Sequence, residues 1–145
     1  MTEQPQPILI VEDDPGHVLL IEKNLRRAGV TNEIIILDDG GRAIDFLFNE
    51  GEFASENNPV PLLILLDINL PVLSGLEVLQ RIKADDRTRR IPVVMLTTTD
   101  SPHEITKCYD LGCNFYVVKP VDYVKFSETI RNLGLFLTNV KTPDD

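Results

Sequence analysis

Three short apolar runs in this chain stop on charge. Residues 8–11 lead into Glu12-Asp13-Asp14, residues 62–66 into Asp67, and residues 115–118 into Lys119-Pro120. Short runs with no polar member are the mark of strands covered on both faces of a parallel sheet. In open α/β sheets, ligands bind beyond the carboxyl ends of such strands. The pattern therefore gathers carboxylates and one ammonium at a single rim, where function is to be sought.

Between these runs the apolar period changes to that of a helix. Val18, Ile21, Leu25 and Ala28 share one face, and Gly29 follows as a stop. Residues 33–37 predict a second strand, Asp38-Asp39-Gly40-Gly41 a turn, and residues 42–49 a short helix carrying Ile44, Leu47 and Phe48. A polar loop covers 50–61. Leu76, Leu79 and Ile82 mark the next helix, ended by Asp85-Asp86-Arg87 ahead of a fourth strand over 93–96. Ser101, Pro102 and Glu104 form a capping box opening a helix whose thin stripe is Ile105, Cys108 and Tyr109. A fifth strand over 115–118 and a final helix from Asp122 complete the series. Strands alternating with helices give a doubly wound parallel α/β sheet, with helices on both faces and the flavodoxin-like strand order 2-1-3-4-5.

A chain of 145 residues fits one domain with a full core. The formal net charge of -9 disfavours nucleic acid and anionic lipid as direct partners. No apolar run approaches the roughly 18 residues of a membrane span, and the N-terminus has no signal-peptide pattern, so a cytoplasmic location is expected. The two cysteines, Cys108 and Cys113, lie outside any metal or redox motif and read as small buried hydrophobes. His17 and His103, each near a helix start, read as solvated surface.

On the last helix Phe126, Ile130, Leu133, Leu137 and Val140 form a core face, while Val124 and Leu135 lie nearly opposite and Tyr123 and Phe136 flank it. That is more apolar surface than one sheet covers. It is either incidental exposure or a subunit interface.

In the expected strand order, Glu12, Asp13 and Asp67 stand on neighbouring strands. Two carboxylates about 4 Å apart repel by roughly 4 kcal/mol at an effective dielectric of 20, so one is protonated or a divalent cation neutralises them. An all-oxygen donor set suits Mg2+ better than zinc. Lys119 beside such a cluster makes a cradle for the oxygens of a transferring phosphoryl group, and Thr97 adds a hydroxyl donor. Asp67, ending the most apolar strand, is then the candidate nucleophile, with Glu12 and Asp13 holding the metal.

In this combination the sequence resembles the receiver domain of a two-component response regulator. The matching residues are Glu12-Asp13, Asp67 within Leu65-Leu66-Asp67-Ile68-Asn69-Leu70-Pro71, Gly75, Thr97, Tyr116 and Lys119-Pro120. The resemblance covers residues 8–137, leaving 1–7 as a flexible lead-in and 138–145 as a C-terminal extension. It implies that Asp67 accepts a phosphoryl group from a sensor histidine kinase, in a reaction where Mg2+ is held by Asp13, Asp67 and the Asn69 carbonyl, with Glu12 acting through water. It further implies that Lys119 pairs with the phosphate, that the Lys119-Pro120 bond is cis, and that Thr97 and Tyr116 act as the switch. Such a protein is a phosphoacceptor that catalyses only its own phosphotransfer and dephosphorylation.

Glu12 stands where the family often has Asp, and Thr98 where many members carry Ala. The long 50–61 loop, and an end soon after the last helix, are similar to stand-alone regulators of phytochrome-type sensor kinases. Those regulators often form homodimers, which Val124, Leu135 and Phe136 would serve. A haloacid-dehalogenase-like phosphatase would need a second Asp where Asn69 stands. A flavodoxin-like FMN carrier would need a phosphate loop where Glu12-Asp13-Asp14 stands.

Overall fold

The computed structural model describes residues 6–55, 57–98, 101–119 and 123–139, without the side chains of residues 123, 126 and 136–139. Five strands, β1 (Ile8–Val11), β2 (Ile34–Leu37), β3 (Leu63–Asp67), β4 (Val93–Thr97) and β5 (Phe115–Val118), form one parallel sheet in the order β2-β1-β3-β4-β5. Between and after them lie α1 (Pro15–Arg27), α2 (Gly40–Phe48), α3 (Gly75–Ala84), α4 (Pro102–Asp110) and α5 (Tyr123–Asn139). The expected doubly wound fold and strand order are those observed.

Strand pleating divides the core. Leu9, Val11, Ile64, Leu66, Val93 and Met95 face Ile44 and Phe46 of α2 and Val78, Leu79 and Ile82 of α3, together with Cys108 of α4. Ile8, Ile10, Leu63, Leu65, Val94 and Leu96 face Ile21 and Leu25 of α1 and Ile130 of α5. β1, β3 and β4 are buried at every position, as continuous apolar runs require, whereas edge strands β2 and β5 are only partly covered.

Local signals fix the helix starts. The Asp14 carboxylate caps α1 by accepting from the backbone N–H groups of Gly16 (2.8 Å) and His17 (3.3 Å), and Pro15 sits where no N–H is needed. Asp39 and Ser74 cap α2 and α3 in the same way. The expected turn at residues 38–41 is in part helix: Asp39 is the cap, and Gly40 and Gly41 open α2. A Cβ on Gly40 would meet the Leu73 carbonyl oxygen at 2.1 Å, so the glycine serves close packing of α2 under the β3–α3 loop. Ser101 precedes α4 but makes no capping hydrogen bond; Pro102 already removes one orphan N–H there.

The polar loop after α2 is structured. A single 3-10 turn, Gly51–Phe53, places Phe53 edge-on against Phe46, with ring centroids 5.4 Å apart. Asn58 donates to Asn49 Oδ1 through its backbone and side-chain nitrogens.

Candidate functional site

The sheet register sets the site. Val11 pairs with Leu66, Asp67 with Leu96, and Thr97 with Val118, so Glu12, Asp67 and Lys119 follow one another along the carboxyl rim. Backbone bonds extend the ladder past the strand ends: Glu12 N–H donates to Leu37, Ile68 N–H to Leu96 and Lys119 N–H to Thr97 carbonyl oxygens. The three charged side chains are thus held by the scaffold rather than by mobile loops.

Charge is concentrated there out of water. Glu12, Asp67, Thr97 and Lys119 are 1%, 3%, 0% and 5% exposed. Lys119 Nζ donates to Asp67 Oδ2 at 2.9 Å and forms an ion pair with Glu12 Oε1, so one ammonium serves two carboxylates. Burial pushes the Glu12 carboxyl up to about 7, reinforced by its contact with Asp67 and opposed by Lys119. Burial pulls the Lys119 ammonium down, but its bonds to Glu12 and Asp67 outweigh that and leave it above the ordinary lysine value.

Glu12, Asp13 and Asp67 each offer a carboxylate oxygen, and these oxygens lie within 4.8 Å of one another. One lysine cannot neutralise three carboxylates, and the donors are hard oxygens with exposed Asp13 on the open side. The cluster fits a small divalent cation.

The β3–α3 loop curls around Asp67. Asn69 N–H donates to Asp67 Oδ1 at 3.1 Å, and Gly75 N–H to the Ile68 carbonyl at 2.8 Å. A Cβ on Gly75 would lie 2.1 Å from the Asp67 carbonyl oxygen, so only glycine lets α3 start against the end of β3.

A family model for the response regulator receiver domain matches residues 8–131. This chain belongs to that family. Among its relatives, response regulator Rcp1 of Synechocystis is 44% identical over 132 residues, 91% of this chain and 88% of that protein. A solved Mn2+-bound form of response regulator Rcp1 superposes with a TM-score of 0.89 at 37% identity, covering 97% of this chain and 100% of that one. The phosphorylated cyanobacterial phytochrome response regulator RcpA gives 0.85 at 36% identity, covering 96% and 99%.

Within the receiver, the sequence-predicted residues Glu12, Asp13, Asp67, Thr97 and Lys119 converge on one end of the sheet. Asn69 borders them with its side chain exposed, and Tyr116 is half-buried on β5 against the α2/α3/α4 side of the core. Thr98 is exposed. The Lys119-Pro120 bond and the Phe136 side chain lie outside the described residues. Val124 and Leu135 are 66% and 44% exposed, and edge strand β5 adds exposed Phe115 and Val118, which the sequence reading did not single out. Cys108 and Cys113 are buried free thiols, and burial raises both above the usual thiol range. Among the described residues no helix is long and apolar enough to cross a membrane.

One correction concerns His17. Its side chain is 19% exposed and points inward, with Nδ1 3.7 Å from Glu12 Oε1 and 3.5 Å from Asp14 Oδ2. The residue sits one turn into α1 above the rim, and the Asp14 cap turns that face toward the acids. His103 is exposed, as expected.

Proposed function

We propose that this receiver accepts a phosphoryl group on Asp67 from the phosphohistidine of a sensor histidine kinase, and that the α4/β5/α5 face responds. The observation that carries the reading is the buried Asp67 carboxylate hydrogen-bonded to Lys119 beside a three-carboxylate cluster. In the step, an Asp67 carboxylate oxygen attacks phosphorus and the P–N bond to the donor imidazole breaks. The electron pair stays on the ring nitrogen, and an acyl phosphate results. Lys119 faces the oxygens of the incoming group, and the Thr97 hydroxyl approaches from β4.

Glu12, Asp13, Asp67 and the Asn69 carbonyl are the residues that would hold Mg2+, which supplies positive charge to the phosphoryl oxygens when bound. The Mn2+-bound Rcp1 and phosphorylated RcpA support both parts by relationship. The protein is a phosphoacceptor that catalyses only its own phosphotransfer and dephosphorylation. Residues 8–137 form the working receiver, with 1–7 and 138–145 as flanking segments, and it acts in the cytoplasm.

On the same grounds the donor is a kinase of the phytochrome type, and the receiver pairs with a second copy through the surface holding Val124, Leu135 and Phe136. Thr97 and Tyr116 convert the new charge on Asp67 into a shift of that surface, with Lys119-Pro120 as a cis turn. Incubation with acetyl phosphate and Mg2+ tests the reading: one acid-labile phosphoryl group per wild-type chain and none on Asp67→Asn is expected. Equal labelling of the two proteins would overturn it.

A further inference from the structure

We propose that His17 is a positioning residue that takes up the Glu12 carboxylate when Lys119 is drawn to the phosphoryl group on Asp67. The inference rests on the reading of Asp67 as phosphoacceptor and concerns what the rest of the rim does when that charge arrives.

Glu12 is fully buried, so its carboxylate needs donors from the protein. The Asp14 backbone N–H serves Oε2 at 3.2 Å, and Lys119 serves Oε1. Lys119 is already shared with Asp67. Phosphorylation replaces the single charge of the Asp67 carboxylate with a phosphoryl group of about 1.5 to 2 negative charges, placing three acceptor oxygens within reach of the same ammonium. It competes directly with Glu12 for Nζ. Mg2+ answers part of the charge of the cluster when bound, but Oε1 still loses the buried donor that Lys119 gives it, which is costly unless another donor replaces it.

His17 is placed to be that donor. Its Nδ1 is a buried nitrogen with no hydrogen-bond partner. The atoms facing it, Glu12 Oε1 at 3.7 Å and Asp14 Oδ2 at 3.5 Å, are both acceptors, which assigns the ring proton to Nδ1. Movement of less than about 1 Å brings Nδ1 into ordinary N–H···O range of Oε1. The neutral imidazole suffices, so no change of protonation is involved. The start of α1 holds the ring there, because Asp14 Oδ1 accepts the His17 backbone N–H.

The test uses the full chain with Mg2+ and acetyl phosphate, whose phosphorus–oxygen bond breaks as acetate leaves. His17→Leu keeps bulk but has no donor, while His17→Asn keeps an N–H at the reach of Nδ1. Losing the donor is expected to slow labelling of Asp67 about fivefold or more, and His17→Asn to restore it to within about twofold of wild type. In wild type, 15N NMR of the imidazole is expected to show the Nδ1 proton moving downfield on labelling, with no movement in Asp67→Asn. That spectrum decides the matter even if His17→Leu does not fold. Labelling of His17→Leu at the wild-type rate, failure of His17→Asn to rescue, or an unmoved Nδ1 proton would overturn the His17 role alone. Absence of label from wild-type Asp67 would overturn the phosphoacceptor reading with it.

Discussion

Lys119 Nζ reaches over the end of β4 to lie 2.9 Å from Asp67 Oδ2, with both side chains buried. The same ammonium meets Glu12, so two buried carboxylates depend on one cation. Lys119→Met removes that cation and leaves both acids uncompensated. Urea denaturation near neutral pH is expected to show a loss of about 3 kcal/mol, the cost of breaking a buried pair from one side. Unchanged stability would mean that the acids find other partners.

The titration of Glu12 gives a second prediction. Its carboxyl stands near 7 in the fold against an ordinary value of 4.5, so between those pH values the folded chain binds more protons than the unfolded one. The contribution of Glu12 to stability is therefore fully present below pH 4.5 and is lost as pH rises through 7. At 1.36 kcal/mol per pH unit the loss is of order 3 kcal/mol. Glu12→Gln is expected to flatten the pH dependence of stability over that window, as read by chemical denaturation at a series of pH values. A slope equal to wild type would contradict the assignment.

Gly75 supplies a third. A methyl group there meets the Asp67 carbonyl, which belongs to a central strand and cannot yield freely. Gly75→Ala is expected to destabilise the chain by about 1–3 kcal/mol through overpacking, and to lower phosphoryl uptake more than Gly41→Ala does. The Cβ at position 41 meets the movable Val72 side chain instead. Thermal melts and labelling of the two variants check this.

The surface around α5 supplies a fourth. Val124 and Leu135 are exposed, and Phe115 and Val118 extend the apolar surface at the β5 edge. Sedimentation of wild type against Leu135→Asp is expected to show a dimer reduced to monomer. Monomeric behaviour in both would remove the interface.

The ends of β1 and β3 were legible because a buried parallel strand has nowhere to put a charge except at its end, which marks Glu12 and Asp67 directly, whereas Lys119 follows edge strand β5, an apolar run that is only partly covered. Gly40 and Gly41 misled for a physical reason. Paired glycines signal a turn, yet here they open a helix because α2 must pass beneath the Leu73 carbonyl. The 3-10 turn at Gly51–Phe53 and the seat of Asn58 were invisible because they come from tertiary contacts, Phe53 on Phe46 and Asn58 on Asn49. His17 carried no local signal either. Its burial is created by the way Asp14 caps α1 over the acids, and a histidine inside an E-D-D-P-G-H stretch does not announce which face it takes.

The assignment of Asp67 as phosphoacceptor is tested most directly by locating the label. After reaction with acetyl phosphate and Mg2+, borohydride reduces an acyl phosphate to the alcohol, and peptide mass spectrometry finds the altered residue. Conversion of Asp67 to homoserine, with Asp13 and Glu12 unaltered, is the expected result. Conversion elsewhere, or a label that withstands borohydride, would contradict it.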